Sequence, residues 1–463
     1  MIKIGGQAIP GRAVLLAGGE SLFIFLALLA ATFVHLPTPG SRSIGEVQPG
    51  SIWGIILFVL VFELSLYFND LYDLAVNKSR VRLSSQLLRS TGIVLVVAAV
   101  ASRIDVSLSP GRGTAVLAVP VIIVVMIVWR IILKSAEFPR GGERVLLAGY
   151  GSVGLKLAGE LQNTPSLRCN IVGLLGEDDD QTKDSDPLPL LGTIRDLERV
   201  VTTHRIDRVI VSLKERRGSM PTRELMRLKF KGIQIEDPYS LYERITGRII
   251  LENLTPSWLI FSTGFQKSRL FRYVKCAIDL MIALTGLILS APIFLCVAIA
   301  ILVEDGFPIL YTQERVGMNG RHFKILKFRS MRQTPPSAVP SWTGDHDPRI
   351  TRVGRVIRKF RFDELPQFIN VLRRDMSVIG PRPEQPYFCK MLEEKVPYFG
   401  YRHSVRPGIT GWAQIKYGYG SSVEDAWRKV ELDLFYIKHL SFVLDLAIMI
   451  ETAKVVLFGR GAR

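Results

Sequence analysis

The stretch CAIDLMIALTGLILSAPIFLCVAIAILV, residues 276–303, decides how the chain is built around a membrane. It is long enough to cross a bilayer, which takes about 20 consecutive apolar residues. Both of its flanks are basic, and the positive-inside rule favours keeping such flanks on one side of the membrane. Pro292 lies near the middle, where a proline removes one backbone hydrogen bond and kinks a helix. We therefore predict a re-entrant membrane helix over about 276–303. The alternative is a kinked spanning helix, which would place the remainder of the chain outside the cell.

Upstream of this stretch, the first third of the chain holds four more apolar segments, which run over 13–36, 51–69, 92–110 and 114–134. Basic residues collect in the loop 74–90 and after the fourth segment, whereas the other loops hold few of them. The positive-inside rule then predicts a four-helix transmembrane bundle over 1–138, with both ends in the cytoplasm. Glu20 and Glu63 lie within the first two spans, and we expect them to pack or pair inside the bundle.

The composition is typical of a membrane protein that meets anionic partners. A length of 463 residues suggests about three domains. The mean hydropathy of +0.25 is high for a soluble protein, and the formal net charge is +17. Such charge beside apolar segments favours anionic lipids or phosphate-bearing substrates over nucleic acid. The four cysteines form no CxxC pair and no Cys/His cluster, which argues against a structural zinc site or a disulfide framework.

Residues 143–250 have the alternating pattern of an α/β domain. Runs typical of strands and helices follow one another and predict a parallel sheet: RVLLAGY (144–150), LKLAGELQ (155–162), NIVGLL (170–175) and RVIVSL (208–213). The first strand leads into a GxGxxG motif formed by Gly149, Gly151 and Gly154, and the acidic pair Glu177 and Asp178 follows the second strand. We predict a Rossmann-like domain over 139–265. A nucleotide site is one interpretation of the motif; the other is that the glycines only permit a tight turn and close helix packing.

The stretch RFDELPQFIN (361–370) places two adjacent carboxylates, Asp363 and Glu364, directly after a basic run. Taken alone, acidic residues before a proline indicate a helix start. The surrounding basic motifs favour chemistry, because arginine binds phosphate through its fork and lysine binds it as a point charge. A carboxylate pair amid this charge suits Mg²⁺, and an aspartate can also be the nucleophile of a covalent phosphoryl intermediate. The candidate substrate-binding side chains are Lys327, Arg329, Arg352, Arg358, Arg382 and Gln414.

These C-terminal stretches resemble the bacterial sugar transferases, the polyprenyl-phosphate phosphoglycosyl transferases of the monotopic type. The resemblance covers residues 270–463 and rests on strings that occur in order: QERVG, KFRSM, DPRITRVG, DELPQFINVL, DMSVIGPRPE, PGITGWAQ and DLFYI. The layout is similar to the large subclass, and SLYERITGRIILENLTPSWLIFSTGF (240–265) is similar to its exopolysaccharide-associated branch. The resemblance implies a membrane α-helical bundle, an α/β Rossmann-like cytoplasmic domain and, over 266–463, an α-rich monotopic catalytic domain with a re-entrant membrane helix.

The resemblance also implies a reaction. A UDP-sugar would give its sugar 1-phosphate to undecaprenyl phosphate, yielding undecaprenyl diphosphate sugar and UMP, as the initiating step of exopolysaccharide synthesis. Asp363 would attack the β-phosphate and hold the phosphosugar covalently, Glu364 would position Mg²⁺ or the phosphate, and Arg382 would bind phosphate or the nucleotide. Cys276 stands where the family usually has a second basic residue before the membrane helix. The expected setting is the cytoplasmic face of a bacterial inner membrane, with anionic lipids as partners and a homodimer as one arrangement.

Two other functions stay open at this point. One is a membrane-anchored nucleotide-binding regulator with a degenerate transferase domain, against which the intact Asp363–Glu364 pair argues. The other is a transporter or flippase, which would need more spans and would leave the basic motifs unexplained. The sequence does not identify the sugar, since glucose, galactose and N-acetylated hexoses all fit the resemblance.

Overall fold

The structure, a computed structural model, describes residues 2–4, 7–9, 11–34, 49–72, 80–104, 112–135, 143–149, 151–163, 169–177, 188–213, 220–252, 254, 256–332, 347–418, 420 and 422–458. The chain forms two compact units, one made chiefly of residues 8–238 and the other chiefly of residues 239–463.

The first unit begins with two paired three-residue strands and a group of four apolar helices. These elements are β1 (Ile2–Ile4), β2 (Gln7–Ile9), α1 (Gly11–Val34), α2 (Pro49–Phe68), α3 (Arg80–Ile104) and α4 (Arg112–Ser135). Ile24, Phe62, Val94 and Met126, one from each helix, are fully buried in a common core. The prediction of four apolar helices in this region is therefore confirmed.

The helix α3 begins earlier than the sequence analysis predicted. It starts at Arg80 and includes residues 80–90 of the predicted basic loop 74–90. Leu87 is buried in the bundle core, and this apolar contact accounts for the upstream extension of the helix. Positions 105–110 of the predicted segment lie outside the described residues.

Within the described residues, three helices are long and apolar enough to cross a membrane: Val14–Thr32, Ser85–Ile104 and Arg269–Asp305. Ile52–Phe68 and Leu117–Leu133 are apolar helices of shorter length.

A buried ion pair joins α1 and α4. Arg130 donates from Nε to Glu20 Oε1 over 2.6 Å and from Nη2 to Glu20 Oε2 over 3.0 Å. Glu63 accepts hydrogen bonds from the hydroxyls of Ser21 and Tyr72. The pairing expected for the two glutamates is thus present, with a basic partner for Glu20 that lies 110 residues away along the chain.

The rest of the first unit is a five-stranded parallel sheet with helices. Its elements are β3 (Glu143–Ala148), α5 (Ser152–Asn163), β4 (Cys169–Gly176), β5 (Leu190–Thr193), α6 (Leu197–Thr203), β6 (Arg208–Val211), α7 (Thr222–Phe230) and β7 (Gln234–Glu236). The strand order is β5-β4-β3-β6-β7, and every pairing is parallel. The prediction of a parallel sheet is confirmed, and two strands, β5 and β7, are added to the three that the sequence indicated.

The second unit is mainly helical. Its elements are α8 (Pro238–Thr246), α9 (Pro256–Phe261), α10 (Arg269–Asp305), β8 (Leu310–Val316), β9 (His322–Phe328), α11 (Arg352–Lys359), α12 (Gln367–Leu372), β10 (Ser377–Ile379), α13 (Pro386–Lys395), β11 (Gly408–Thr410), α14 (Trp412–Lys416), α15 (Val423–His439) and α16 (Phe442–Phe458). The strands β8 and β9 form an antiparallel hairpin, and β10 pairs with β11 in parallel. Helix α15 lies at the centre, since its consecutive residues 430–437 are all buried.

Residues 239–265 pack within this second unit. Trp412 Nε1 donates to the Gly247 carbonyl over 2.9 Å, and the Tyr398 hydroxyl donates to the Leu254 carbonyl over 2.8 Å. Leu254 is also buried in the unit's apolar core. The compact unit therefore begins before position 266, and the division of the chain into three domains stays a prediction.

The stretch that decides the membrane arrangement is one helix, α10, which continues through Pro292 without a break. Near its start, Lys275 pairs with Asp445 over 2.7 Å, and Asp279 accepts a 2.7 Å hydrogen bond from Ser377 Oγ. At its far end, Arg329 donates to the Asp305 carbonyl over 2.6 Å. Both ends of the helix are thus bound to the same unit.

The last helix, α16, has one buried face and one exposed apolar face. Leu444 and Ile448 lie in the core, whereas Val443 and Leu446 are more than half exposed, at 54% and 53%. Asp445 is buried and paired with Lys275, so this charge does not lie on an outer polar face as an amphipathic surface helix would suggest. The apolar outer face has the pattern expected of a helix at a membrane surface.

Candidate active site

The two adjacent carboxylates lie in a short 3-10 turn, Phe362–Glu364, between α11 and α12. Immediately before it, Arg361 has a φ of 56°, in the left-handed region. Non-glycine residues rarely adopt this conformation, and such positions are concentrated at functional sites. The helix-start interpretation also holds, because the turn leads directly into Pro366 and α12.

Glu364 is buried and is held by cations. Its Oε1 accepts a hydrogen bond from Arg382 Nη2 over 2.9 Å and another from Lys327 Nζ over 3.2 Å. Arg361 Nη1 lies 3.8 Å from Oε2. Burial alone would raise the pKa of this carboxyl, but the positive charges of Arg382 and Lys327 outweigh that effect and hold the pKa well below its usual value. Glu364 is therefore an ionised carboxylate whose charge is already neutralised.

Asp363 is in a different state. Its carboxylate makes no hydrogen bond and no ion pair with another described residue. Burial and the adjacent negative charge of Glu364 raise its pKa to about 6, although Lys327, Arg358 and Arg382 pull the pKa down. Of the two carboxylates, Asp363 is the one with free oxygens. It is also the first of the two to be protonated as the pH falls.

Several cations surround this turn. Lys327 and Arg382 contact Glu364 directly, and Arg358 acts on Asp363 through its charge. Arg358 comes from α11 and also donates to Met331 Sδ over 3.4 Å. Burial lowers the pKa of Lys327. The structure thus brings together three of the six predicted substrate-binding residues around the carboxylates.

The other three predicted residues lie elsewhere. Arg329 is buried, and its guanidinium is occupied by the carbonyls of Asp305 and Gly306 at the end of α10. Arg352 begins α11, where its backbone N–H donates to Glu304 and its side chain is exposed. Gln414 lies on α14, donates from Nε2 to the Ile409 carbonyl and has a buried Oε1 that accepts no hydrogen bond from the described part of the chain. The structure gives these side chains local contacts and no contact with the dyad.

Two cations near the carboxylates were not among the predicted site residues. Arg361 directly precedes the dyad, so its position was a signal that the sequence offered. Arg315 lies close enough to Lys327 for its charge to lower the pKa of that lysine. No local pattern predicts this second contact, because the two residues lie on different strands, β8 and β9.

Ser212, the residue after β6, packs directly against the glycine motif of the parallel sheet. Gly151 N donates to the Ser212 carbonyl over 2.7 Å, and Gly154 N donates to Ser212 Oγ over 3.2 Å. A Cβ added at Gly149, Gly151 or Gly154 would lie 2.5, 2.4 or 2.4 Å from an atom of Ser212. The glycines are therefore required for the close approach of Ser212. Glu177 is described and Asp178 lies outside the described residues.

Two family models match the chain. The bacterial sugar transferase model matches residues 270–459, and the CoA-binding domain model matches residues 67–236. The first match contains the Asp363–Glu364 turn, α10 and the basic residues around them. The second match contains the glycine motif and the parallel sheet.

Two N–H groups of the glycine loop are occupied in a way that opposes binding of the diphosphate of CoA or of a dinucleotide. Such a group is bound by backbone N–H groups at the glycine turn and at the start of the following helix. Here the N–H groups of Gly151 and Gly154 already donate to Ser212.

Curated relatives also match the chain. It is 41% identical over 52% of its length to the UDP-N-acetylgalactosamine-undecaprenyl-phosphate N-acetylgalactosaminephosphotransferase of Aeromonas hydrophila, and 34% identical over 70% of its length to the undecaprenyl-phosphate glucose phosphotransferase of Komagataeibacter xylinus. The chain spans 56% and 60% of the length of these two relatives. The exopolysaccharide production protein PSS of Rhizobium leguminosarum bv. phaseoli is 39% identical, and the match covers 92% of that protein and 39% of this chain. The chain belongs to the bacterial sugar transferase family.

Proposed function

We propose that the chain transfers a sugar 1-phosphate from a UDP-sugar to undecaprenyl phosphate, giving undecaprenyl diphosphate sugar and UMP at the start of exopolysaccharide synthesis. The names of the two phosphotransferase relatives support this reaction class. The observation that carries the proposal is the unequal state of the two carboxylates. Glu364 is fixed by Arg382 and Lys327, while Asp363 beside it has free oxygens within the same positive surroundings.

In this proposal Asp363 is the nucleophile. One of its carboxylate oxygens attacks the β-phosphorus of the UDP-sugar, and a new oxygen–phosphorus bond forms. The bond from that phosphorus to the bridging oxygen breaks, and UMP leaves with the electron pair. An oxygen of undecaprenyl phosphate then attacks the same phosphorus and displaces the Asp363 carboxylate. Two displacements at one centre with a covalent intermediate give ping-pong kinetics.

The cations make this attack feasible. An anionic nucleophile is repelled by the charges of a diphosphate, and fixed positive groups in a site that excludes water offset that repulsion most effectively. Lys327, Arg358 and Arg382 supply such groups next to Asp363. Because Lys327 and Arg382 also hold Glu364, the position of these cations is set before the substrate arrives.

Mg²⁺ is part of the proposal. Among the described residues, no group of three or more His, Cys, Asp or Glu side chains could hold a metal ion. The free carboxylate of Asp363 and the remaining oxygen of Glu364 fit a Mg²⁺ that is bound mostly by substrate phosphates and water. When bound, the ion would supply additional neutralisation of the phosphate charge.

The membrane arrangement is proposed as follows. The N-terminal helices form a transmembrane bundle, the Rossmann-like sheet and the catalytic unit lie on the cytoplasmic side, and α10 enters the inner membrane and returns. Apolar residues along α10 support this, with Met281, Leu289 and Leu295 exposed by 61%, 74% and 62%. A helix so placed would hold Asp363 at headgroup depth, where a soluble sugar nucleotide and a lipid phosphate meet. Anionic lipids and a second copy of the chain are the further partners we propose.

The test is UMP release from a panel of UDP-sugars by the purified full chain, with Mg²⁺ and undecaprenyl phosphate. We expect release with at least one sugar, and its loss in Asp363→Asn. Asp375→Asn, the same substitution at a half-buried position outside the turn, is the matched control and keeps its activity. If the folded protein released no UMP from any donor, the proposal would fail and the regulator alternative would gain support.

A further inference from the structure

The turn that carries Arg382 is fixed at every carbonyl. This turn, which we call the PRPE turn, comprises residues 381–384 and follows β10. Each of its four consecutive carbonyl oxygens accepts a hydrogen bond from a different residue. The pairs are Pro381 with Gly408 N at 2.9 Å, Arg382 with Arg402 Nη2 at 2.9 Å, Pro383 with Arg315 Nη1 at 3.1 Å, and Glu384 with Val316 N at 3.0 Å.

Two of these four donors are arginine side chains that do not touch the dyad. Arg402 is 4% exposed and lies 2.8 Å from Asp433, which is 1% exposed. The guanidinium of Arg402 also lies over the ring of Phe399, 5.1 Å from its centre. A buried charge of this kind needs a partner, because an unpaired ion in the interior costs several kcal/mol. Asp433 and Phe399 therefore hold Arg402 in the one place from which it reaches the Arg382 carbonyl.

Arg315 holds the neighbouring carbonyl in a similar way. Its Nη2 donates to Gln313 Oε1 over 2.6 Å, and its Nη1 lies 3.6 Å from Glu384 Oε2 while it donates to the Pro383 carbonyl. Burial lowers the pKa of Arg315, and its charge remains compensated by Glu384. Arginine side chains thus donate to two consecutive carbonyls of the turn, those of Arg382 and Pro383.

The side chain of Arg382 leaves this turn and donates to Glu364 over 2.9 Å. We propose that Arg402, together with Asp433, and Arg315 are positioning residues that fix the PRPE turn and so aim Arg382 at the dyad. The effect on catalysis rests on the proposed function, whereas the role of these residues in fixing the turn does not. Arg382 itself contacts Glu364, whereas Arg402 and Arg315 act on Arg382 through the backbone of the turn.

The physical reason lies in the length and freedom of the Arg382 side chain. An arginine loses considerable rotamer freedom when it is fixed, so a rigid backbone beneath it lowers the cost of placing its guanidinium. Small misplacements of a charged group at a phosphoryl-transfer site are costly, since about 1 Å can reduce the rate on the order of 100-fold. Hydrogen bonds to four consecutive carbonyls fix the backbone from which the Arg382 side chain extends.

The first measurement is hydrogen–deuterium exchange at the amides of Val316 and Gly408 in the full chain, held in lipid nanodiscs, because these N–H groups donate to the Glu384 and Pro381 carbonyls of the turn. The variant replaces both charges, Arg402→Met with Asp433→Leu, because an ion pair replaced by apolar groups of similar size often leaves stability unchanged. We expect faster exchange at these two amides. The matched control is Arg329→Met, a buried arginine that binds the carbonyls of Asp305 and Gly306, and it should leave exchange at both amides unchanged. Unchanged exchange in the double variant would overturn the proposal.

The second measurement is a double-mutant cycle on kcat/KM for UMP release. Arg402→Gln alone should lower kcat/KM on the order of 100-fold. In an Arg382→Ala background the same substitution should have almost no further effect, because there is no guanidinium left to aim. A merely structural role would give the same loss in both backgrounds and would overturn the assignment to Arg382. A wild-type protein without UMP release would refute the proposed function, and the exchange experiment would still decide whether Arg402 fixes the turn.

Discussion

At the scale of the residue, the decisive contrast is between two neighbours of the same charge. Glu364 accepts hydrogen bonds from Arg382 and Lys327, and Asp363 accepts none from the described residues. The single negative charge that the cations neutralise directly is that of Glu364. The second charge is compensated only at longer range, which leaves Asp363 with a raised pKa and with oxygens available to a phosphorus atom.

This contrast predicts an acid limit on the reaction. The pKa of Asp363 is raised to about 6, and only the ionised form attacks. The activity is therefore fully present above that value and is lost as the pH falls through it. We expect kcat/KM for UMP release to fall by about tenfold per pH unit on the acid side. The measurement is a pH–rate profile for the donor sugar that supports release.

A variant distinguishes Asp363 from another group with a similar pKa. Burial raises the pKa of Asp433 to about 6 as well, where Arg402, Glu384 and Lys429 face it. Arg358 lowers the pKa of Asp363, whereas the charges that chiefly set the pKa of Asp433 are those of Arg402, Glu384 and Lys429. Arg358→Gln should therefore move the acid limb to higher pH, in addition to any loss of rate. An acid limb that stays in place would assign it to a different group.

At the scale of the element, the glycine loop after β3 shows how one motif can serve packing. Gly154 lies in the first turn of α5, where alanine would normally be the better helix former. An added Cβ would lie 2.4 Å from Ser212 Oγ and 2.6 Å from Ser212 Cβ. The third nearby atom, 2.8 Å away, is the flexible end of Leu147. The requirement for glycine thus comes chiefly from the Ser212 side chain.

A coupled substitution measures that requirement. Gly154→Ala should destabilise the protein by about 2 kcal/mol through overpacking. In a Ser212→Gly background the same change should cost less than about 1 kcal/mol, because the clashing side chain is gone. Denaturant unfolding of the full chain in detergent, followed by a probe in the parallel sheet, gives both values. Equal costs in the two backgrounds would contradict the packing role.

The same closed loop makes a prediction about ligands. Since Ser212 occupies the N–H groups of Gly151 and Gly154, neither CoA nor NAD should bind the full chain in equilibrium dialysis. Saturable binding that Ser212 variants alter would show that the loop opens to accept a diphosphate.

The helix α10 leads to a prediction about sidedness. It has 37 residues, and a helix of that length extends about 55 Å, well beyond the hydrocarbon thickness of about 30 Å. Its start is bound through Lys275 and Asp279, and its end through Arg329, all within one compact unit. Because both ends are bound to one compact unit, we predict that they lie on the same side of the membrane.

Single cysteines test the sidedness. In a cysteine-free protein, Gln266→Cys and Arg321→Cys introduce thiols at exposed positions on either side of α10. Both should react with a membrane-impermeant maleimide in inside-out vesicles, and neither should react in right-side-out vesicles. Labelling of the two positions from opposite sides would establish the kinked spanning helix instead.

The elements also show which features a sequence can predict. The apolar segments, the alternation of strands and helices, and the motif around Asp363 are local patterns, and the structure contains each of them. The short strands β5 and β7 have only four and three residues and carry no clear pattern. The pairs Arg130–Glu20 and Ser212–Gly154 join residues 110 and 58 positions apart, and Arg402 reaches the PRPE turn in the same non-local way. Such partners are set by the packing of whole elements, so a single sequence does not reveal them.

At the scale of the whole molecule, every residue of the proposed site belongs to the compact unit of residues 239–463. The dyad, its cations, the PRPE turn and α10 all lie within it. The segment 239–265 belongs to the same unit, since Ile249 and Leu251 are each 2% exposed in its core and Glu243 pairs with Lys438 over 2.7 Å. The boundary of a minimal active protein should therefore lie near position 239.

Two truncated proteins test this boundary. A protein of residues 239–463 should fold and release UMP, because it keeps almost the whole unit. A protein of residues 266–463 should lose the burial of Ile249, Leu251 and Leu254, each worth about 2 kcal/mol, and these losses together approach the entire stability of a typical domain. Glu243 would also be gone, which would leave Lys438 without its carboxylate. Thermal unfolding and UMP release, both measured in nanodiscs and compared with those of the full chain, distinguish the two truncated proteins. If the shorter protein unfolded at the same temperature as the longer one, residues 239–265 would be a linker, and the catalytic unit would begin at 266.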